Sequence, residues 1–151
     1  DTESQDCLLT LNGSKVISCM DTSYHTAGIV ATGHPDCTIR LWDVRTNEQS
    51  TNSLVAESSF RPSHRAWVSQ VQWSSSRPYQ VTSGSHDGTV KVWDIRAALP
   101  LHTIRVVPKQ NKVMALALGE IGSMMFAGGT DCQLKQYHLG DKADSKVDPE
   151  E

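Results

Sequence analysis

A chain of 151 residues, 38% of them hydrophobic, is long enough for one globular domain with a sizeable core. Its net charge of −3 and pI near 6.1 exclude a broadly basic nucleic-acid binder. No apolar run approaches the roughly 20 residues of a membrane-spanning helix, so no membrane partner is expected.

The predicted elements are short strands. KVISCMD (15–21) is an apolar alternating run, and ATGHPDCTIRLWDVR (31–45) carries two more strands around the turn dipeptide Pro35-Asp36. The polar stretch NEQSTNSLVAESSFRPS reads as an extended loop on an outer strand. WVSQVQW (67–73) and TSGSHDGTVKVWDIR (82–96) repeat the pattern, with Asp87-Gly88 as the turn. LHTIRVV (101–107) reads as a looser outer strand, and KVMALAL (112–118) as the next inner one. Met124 and Met125 fit a buried strand leading into AGGTDCQLKQYHLG (127–140). The tail from 140 to 151 has five acidic residues and one large apolar side chain, too little to offset its ordering entropy, and is expected to be disordered. No amphipathic helix is predicted.

Three units align. A glycine (Gly33, Gly84, Gly128) precedes an aspartate (Asp36, Asp87, Asp131) by three residues, and an aromatic (Trp42, Trp93, Tyr137) follows that aspartate by six. The aspartates are 51 and 44 residues apart, the second spacing being that of a four-stranded propeller blade. The predicted fold is all-β, a propeller with three four-stranded blades at 1–46, 47–97 and 98–139. A three-blade arc exposes two apolar faces and a sheet edge. The chain is therefore expected to be the C-terminal part of a larger, seven-bladed ring, or else to pair with another copy or chain.

His64, Ser83 and Asp87 are the residue types of a hydrolytic triad. Ser83 lies mid-strand instead of on an exposed GxSxG elbow, and nothing proposes an oxyanion hole or a cleft. Cys7, Cys19, Cys37 and Cys132 have no CxxC spacing, which argues against zinc and for free thiols in a reducing compartment. Cys37 and Cys132 both follow a turn aspartate, as small turn residues do. No metal, cofactor or small-molecule substrate is expected. Val68, Val71 and Trp73 read as core, and His34 and His86 as surface loop residues.

The repeated Gly–Asp–Trp-Asp pattern resembles the WD-repeat family. The resemblance implies that His64, Ser83, Asp87 and Trp93 form one structural hydrogen-bond chain. Asp36, Trp42, Asp131 and Tyr137 would belong to less complete versions, because Asn12 and Lys109 stand at the histidine position. Partner contact is expected at Arg65, Trp67, Ser85 and His86 on the top face of the middle blade, since Arg and Trp are favoured interface anchors.

LNGSKVISC, HRAWVSQVQWS, TVKVWDIR and GGTDCQLKQY, in that order, are similar to the closing blades of the WD-repeat subunits of the PeBoW complex. This resemblance implies a nucleolar and nucleoplasmic scaffold for large ribosomal subunit assembly and precursor rRNA processing. Its implied partners are the block-of-proliferation subunit, the pescadillo subunit and pre-large-subunit particles. No position here matches the family's N-terminal ubiquitin-like domain, and the 46–63 loop is longer and more polar than that family leads one to expect. A second reading rests on WDVR (42–45) and WDIR (93–96), which resemble the signature of cullin-RING substrate receptors, where Arg45 and Arg96 would meet the adaptor. The basic residues are scattered singly, with no aromatic–basic stripe, which leaves direct RNA contact open.

Overall fold

The computed structural model describes Cys7, Thr10 and residues 15–45, 52–53, 63–119 and 124–139. Among these residues every regular element is a strand. β1 (Cys19–Thr22), β2 (Ile29–Gly33), β3 (Ile39–Asp43) and β4 (Asn52–Ser53) form the first antiparallel sheet, in chain order. β5 (Val68–Trp73), β6 (Gln80–Ser85), β7 (Thr89–Asp94) and β8 (His102–Arg105) form the second. β9 (Val113–Leu118), β10 (Met124–Gly129) and β11 (Leu134–His138) form the third, which has three strands among the described residues. This is the all-β arrangement of consecutive propeller blades.

The sheets run past the repeat limits at 46 and 97. Asn52–Ser53 pairs with β3 and His102–Arg105 with β7, because an outer strand hydrogen-bonds to the strand just before it rather than to the unit that follows. Most of the 46–63 loop, Asn12 and the 140–151 tail lie outside the described residues.

Two apolar layers hold the sheets together. Ala31 and Ile39 of the first sheet meet Val68, Val71, Trp73, Val81 and Trp93 of the second. Val90 of the second, with Val106 and Val107, meets Val113, Leu116, Met125 and Ala127 of the third. The middle sheet is thus covered on both faces. Accordingly β6, QVTSGS, is buried at every position, whereas β11 alternates exposed and half-buried residues.

Inner strands are also stitched by side chains. Ser18 Oγ donates to the Gly33 and Val68 carbonyls at 2.8 and 2.6 Å, and one repeat later Ser69 Oγ reaches those of Gly84 and Val113 at 3.1 and 2.7 Å. Asp21 Oδ2 accepts from Trp73 N at 2.7 Å, and Gln72 Oε1 accepts from Leu118 N at 2.8 Å. In the third sheet these two positions are Met114 and Ala117, which have no polar atom to offer.

Each turn between the second and third strand of a sheet has a residue with positive φ after its aspartate: Cys37 at 69°, Gly88 at 80° and Cys132 at 59°. The two cysteines therefore sit in the left-handed region that ordinarily favours glycine.

Candidate functional site

The turn end of the second sheet carries a continuous polar chain. Trp93 Nε1 donates to Ser83 Oγ at 2.9 Å, Ser83 Oγ lies 2.7 Å from His64 Nε2, and His64 Nδ1 lies 3.0 Å from Asp87 Oδ2. An ionised Asp87 only accepts, so Nδ1 carries the proton and Nε2 accepts from the serine hydroxyl. Asp87 also accepts from Arg65 N, Thr89 N and Thr89 Oγ1 at 2.9, 2.9 and 2.5 Å. Burial pushes the Asp87 carboxyl up, but these donors more than offset it and hold it well below the usual carboxylate range. Burial lowers the His64 pKa against the opposing pull of Asp87, so the imidazole is neutral at pH 7.

The polarity from serine to histidine to aspartate is that of a hydrolase, but the setting is not. Ser83 is fully buried and its oxygen is already held by the Trp93 indole, so no substrate carbonyl can reach it. These residues tie an incoming segment to a turn inside a water-poor interface.

The first sheet rebuilds the chain differently. Trp42 Nε1 donates to Thr32 Oγ1 at 2.7 Å, Thr32 Oγ1 lies 2.8 Å from His34 Nε2, and His34 Nδ1 donates to the Val16 carbonyl at 2.8 Å. His34, expected on the surface, is fully buried. It supplies the imidazole from the sheet's own turn, and a neutral carbonyl replaces the carboxylate as the last acceptor. Asp36, released from that duty, binds Thr38 N and Oγ1 at 3.2 and 2.5 Å and pairs with Arg40 at 2.9 Å. In the third sheet Ala127 occupies the hydroxyl position and Tyr137 packs against the core. Asp131 there pairs with Lys135 at 2.5 Å.

A basic residue four places after each turn aspartate went unread in the sequence. Lys91 Nζ donates to the Ser63 carbonyl at 2.7 Å and Lys135 Nζ to that of Val106 at 2.8 Å, each fastening the incoming segment. Arg40, Lys91 and Lys135 share that spacing, and this was the signal available.

The expected partner residues fall at opposite ends of the sheets. Arg65, Trp67 and His86 cluster at the turn end. There Trp67, 54% exposed, stacks on His86 with ring centroids 5.9 Å apart and planes at 15°. Ser85 does not join them: it is fully buried, donating to the Ala66 carbonyl at 3.0 Å and accepting from Asp87 N at 3.1 Å. Arg45 and Arg96 lie beyond the far ends of β3 and β7, about 17 Å away by strand length. Each forks onto the aspartate two residues before it, Arg45 on Asp43 at 2.9 and 2.7 Å and Arg96 on Asp94 at 2.9 and 2.6 Å. Those pairs hold the Asp43 and Asp94 carboxyls down at about 2. Arg96 also lies over the Tyr79 ring, 4.1 Å from its centroid. Among the described residues no cluster of His, Cys, Asp and Glu has the makings of a metal site.

A β-propeller family described as Nucleolar protein 10-like, N-terminal domain, matches residues 4–131. The chain is 36% identical over 149 residues to a ribosome biogenesis protein WDR12 homolog of Chlamydomonas reinhardtii, covering 91% of this chain and 31% of that protein. It is 38% identical over 140 residues to the homolog of Nematostella vectensis, again covering 91% and 31%. It is 35% identical over 130 residues to that of Dictyostelium discoideum, covering 80% and 26%. The chain thus spans less than a third of the length of these relatives. With its propeller sheets and a match over most of its length, the chain belongs to the WD-repeat β-propellers, in the Nucleolar protein 10-like, N-terminal domain family.

Proposed function

We propose that this chain is part of a non-enzymatic scaffold in ribosome biogenesis, acting in large-subunit assembly and precursor rRNA processing in the nucleolus and nucleoplasm. The observation that carries this reading is its similarity to ribosome biogenesis proteins from an alga, an anemone and an amoeba. Its protein partner would be the block-of-proliferation subunit, and through it the pescadillo subunit and pre-large-subunit particles. The architecture suits a scaffold: buried side-chain chains and inter-sheet rungs hold the turn loops rigidly. The polar chain through His64, Ser83 and Asp87 serves structure rather than catalysis. Arg45 and Arg96 each spend their Nε and Nη2 edge on the aspartate two residues before, so a cullin adaptor would meet only the remaining Nη1 edge.

The test is an affinity pull-down of the intact parent protein from nuclear extract, with mass spectrometry of the recovered proteins. Large-subunit assembly factors led by the block-of-proliferation subunit are expected. Recovery of a cullin and its adaptor in their place would overturn the proposal.

A further inference from the structure

The aspartate-turn end of the second sheet gathers an aromatic platform and three cations from positions far apart in the chain. Trp67 is half exposed although its neighbour Val68 is fully buried, so the core does not account for this indole. His86 stacks on it, and the backbone His86 N–H donates to the Trp67 carbonyl at 2.9 Å, which holds the two residues side by side. Burial and the nearby Lys112 charge lower the His86 pKa, keeping the imidazole neutral as a stacking partner. Arg65 is held by its own amide on Asp87 at 2.9 Å, and Arg105 Nη1 donates to the Asp87 carbonyl at 3.4 Å. Arg65, Arg105 and Lys112 are all exposed. The carboxylate of the same turn, Asp87, faces inward to His64. A cationic, ring-bearing patch therefore stands on a chain whose net charge is −3.

We propose that this patch is a contact site for single-stranded RNA, Trp67 taking a base on its open face while Arg65, Arg105 and Lys112 take phosphates. An unpaired base presents the flat surface that an indole–imidazole stack accepts, and the phosphodiester supplies the anions that three cations require. An acidic peptide would satisfy the cations and leave the rings bare. A duplex keeps its bases stacked within itself. The choice of RNA over DNA rests on the ribosome-assembly reading; the site geometry does not.

The test is a fluorescence-anisotropy titration of the full chain with a labelled single-stranded RNA about ten nucleotides long. A DNA of the same sequence and an RNA duplex of the same length run alongside. Wild-type protein is expected to bind the single strands more tightly than the duplex. Trp67→Ala should weaken binding about tenfold and Trp67→Phe should retain most of it. Arg65→Ala with Lys112→Ala should lower the salt dependence, the log–log slope falling by about 0.7 for each cation removed. Arg45→Ala, at the other end of the sheets, should bind as wild type, and urea midpoints would show that each variant is folded. No binding by the wild type, or Trp67→Ala binding as tightly as wild type, overturns the proposal. So does a Trp67→Ala parent protein that keeps its RNA affinity but loses its protein partners in the pull-down: the patch would then be a protein contact. Loss of the assembly factors from the wild-type pull-down with RNA binding intact would overturn the scaffold reading alone. Equal affinity for DNA would leave the single-strand contact and remove its restriction to RNA.

Discussion

Ser83 is the residue on which the second sheet's polar chain turns, since its hydroxyl joins the Trp93 indole to the His64 imidazole. Removing it leaves a buried N–H and a buried ring nitrogen without partners. Ser83→Ala is therefore expected to lower stability by about 1–3 kcal/mol, read from urea unfolding. Thr32→Ala should cost a similar amount, because Thr32 joins Trp42 to His34 in the same way. The titrating groups set a pH dependence of definite sign. His34 and His64 both have pKa values lowered by burial in the fold, so below about pH 6.5 the unfolded chain binds more protons than the folded one. Their contribution is complete above that pH and declines as pH falls. The Asp87 carboxyl, held low in the fold, adds a second loss at more acid pH. Urea midpoints should decrease from about pH 7.5 to about pH 5, and His64→Gln should flatten part of that decrease. A midpoint that rose on acidification would contradict the buried, neutral imidazoles.

Between elements, the glycine of each unit has a cause that the sequence pattern does not state. A Cβ on Gly33 would lie 2.6 Å from Val68 Cγ1 and 2.5 Å from Cys19 Sγ. One on Gly84 would lie 3.0 Å from Val113 Cγ1. In both cases the obstruction includes the first valine of the next sheet. Gly128 has no following sheet among the described residues, and its nearest neighbour would be Gln133 O at 3.8 Å. Gly33→Ala should therefore cost about 1–3 kcal/mol by prying the first two sheets apart, Gly84→Ala less, and Gly128→Ala nearly nothing. Thermal or urea unfolding of the three variants gives the order. Equal losses at all three positions would mean that the glycines answer to strand geometry and not to the neighbouring sheet.

For the whole molecule, the same repeat positions meet different fates at the two ends. Ile39 and Val90 are fully buried by the sheet that follows, whereas the matching Leu134 is 78% exposed. Val68 and Val71 are fully buried by the sheet before, whereas the matching Ile17 and Met20 are 42% and 60% exposed. Among the described residues an apolar face thus stands open on the first and on the third sheet. In solution the chain is expected to self-associate through these faces as its concentration rises, and Met20→Lys with Leu134→Lys should shift it toward monomer. Size-exclusion chromatography with light scattering over a concentration series reads this directly. A monomer at every concentration would show that the open faces tolerate water.

The sequence by itself determined the strands, their order and the three-unit repeat. Apolar alternation and Asp-turn chemistry act over a few residues, so they are written locally. The Trp–Ser–His–Asp chain of the middle sheet was implied by the resemblance to WD repeats, whose pattern that sheet keeps in full. The sequence did not show His34, whose imidazole enters from the sheet's own turn and donates to the Val16 carbonyl 18 residues earlier in the chain. Nor did it show Ser85 turning inward, or Arg45 and Arg96 spent on neighbouring aspartates at the opposite end from Trp67. Only the tertiary structure decided which side chains are covered and which are brought together. Packing one sheet against the next sets burial, and it places Arg65, His86, Arg105 and Lys112 around a single turn across a span of chain that no local pattern can join.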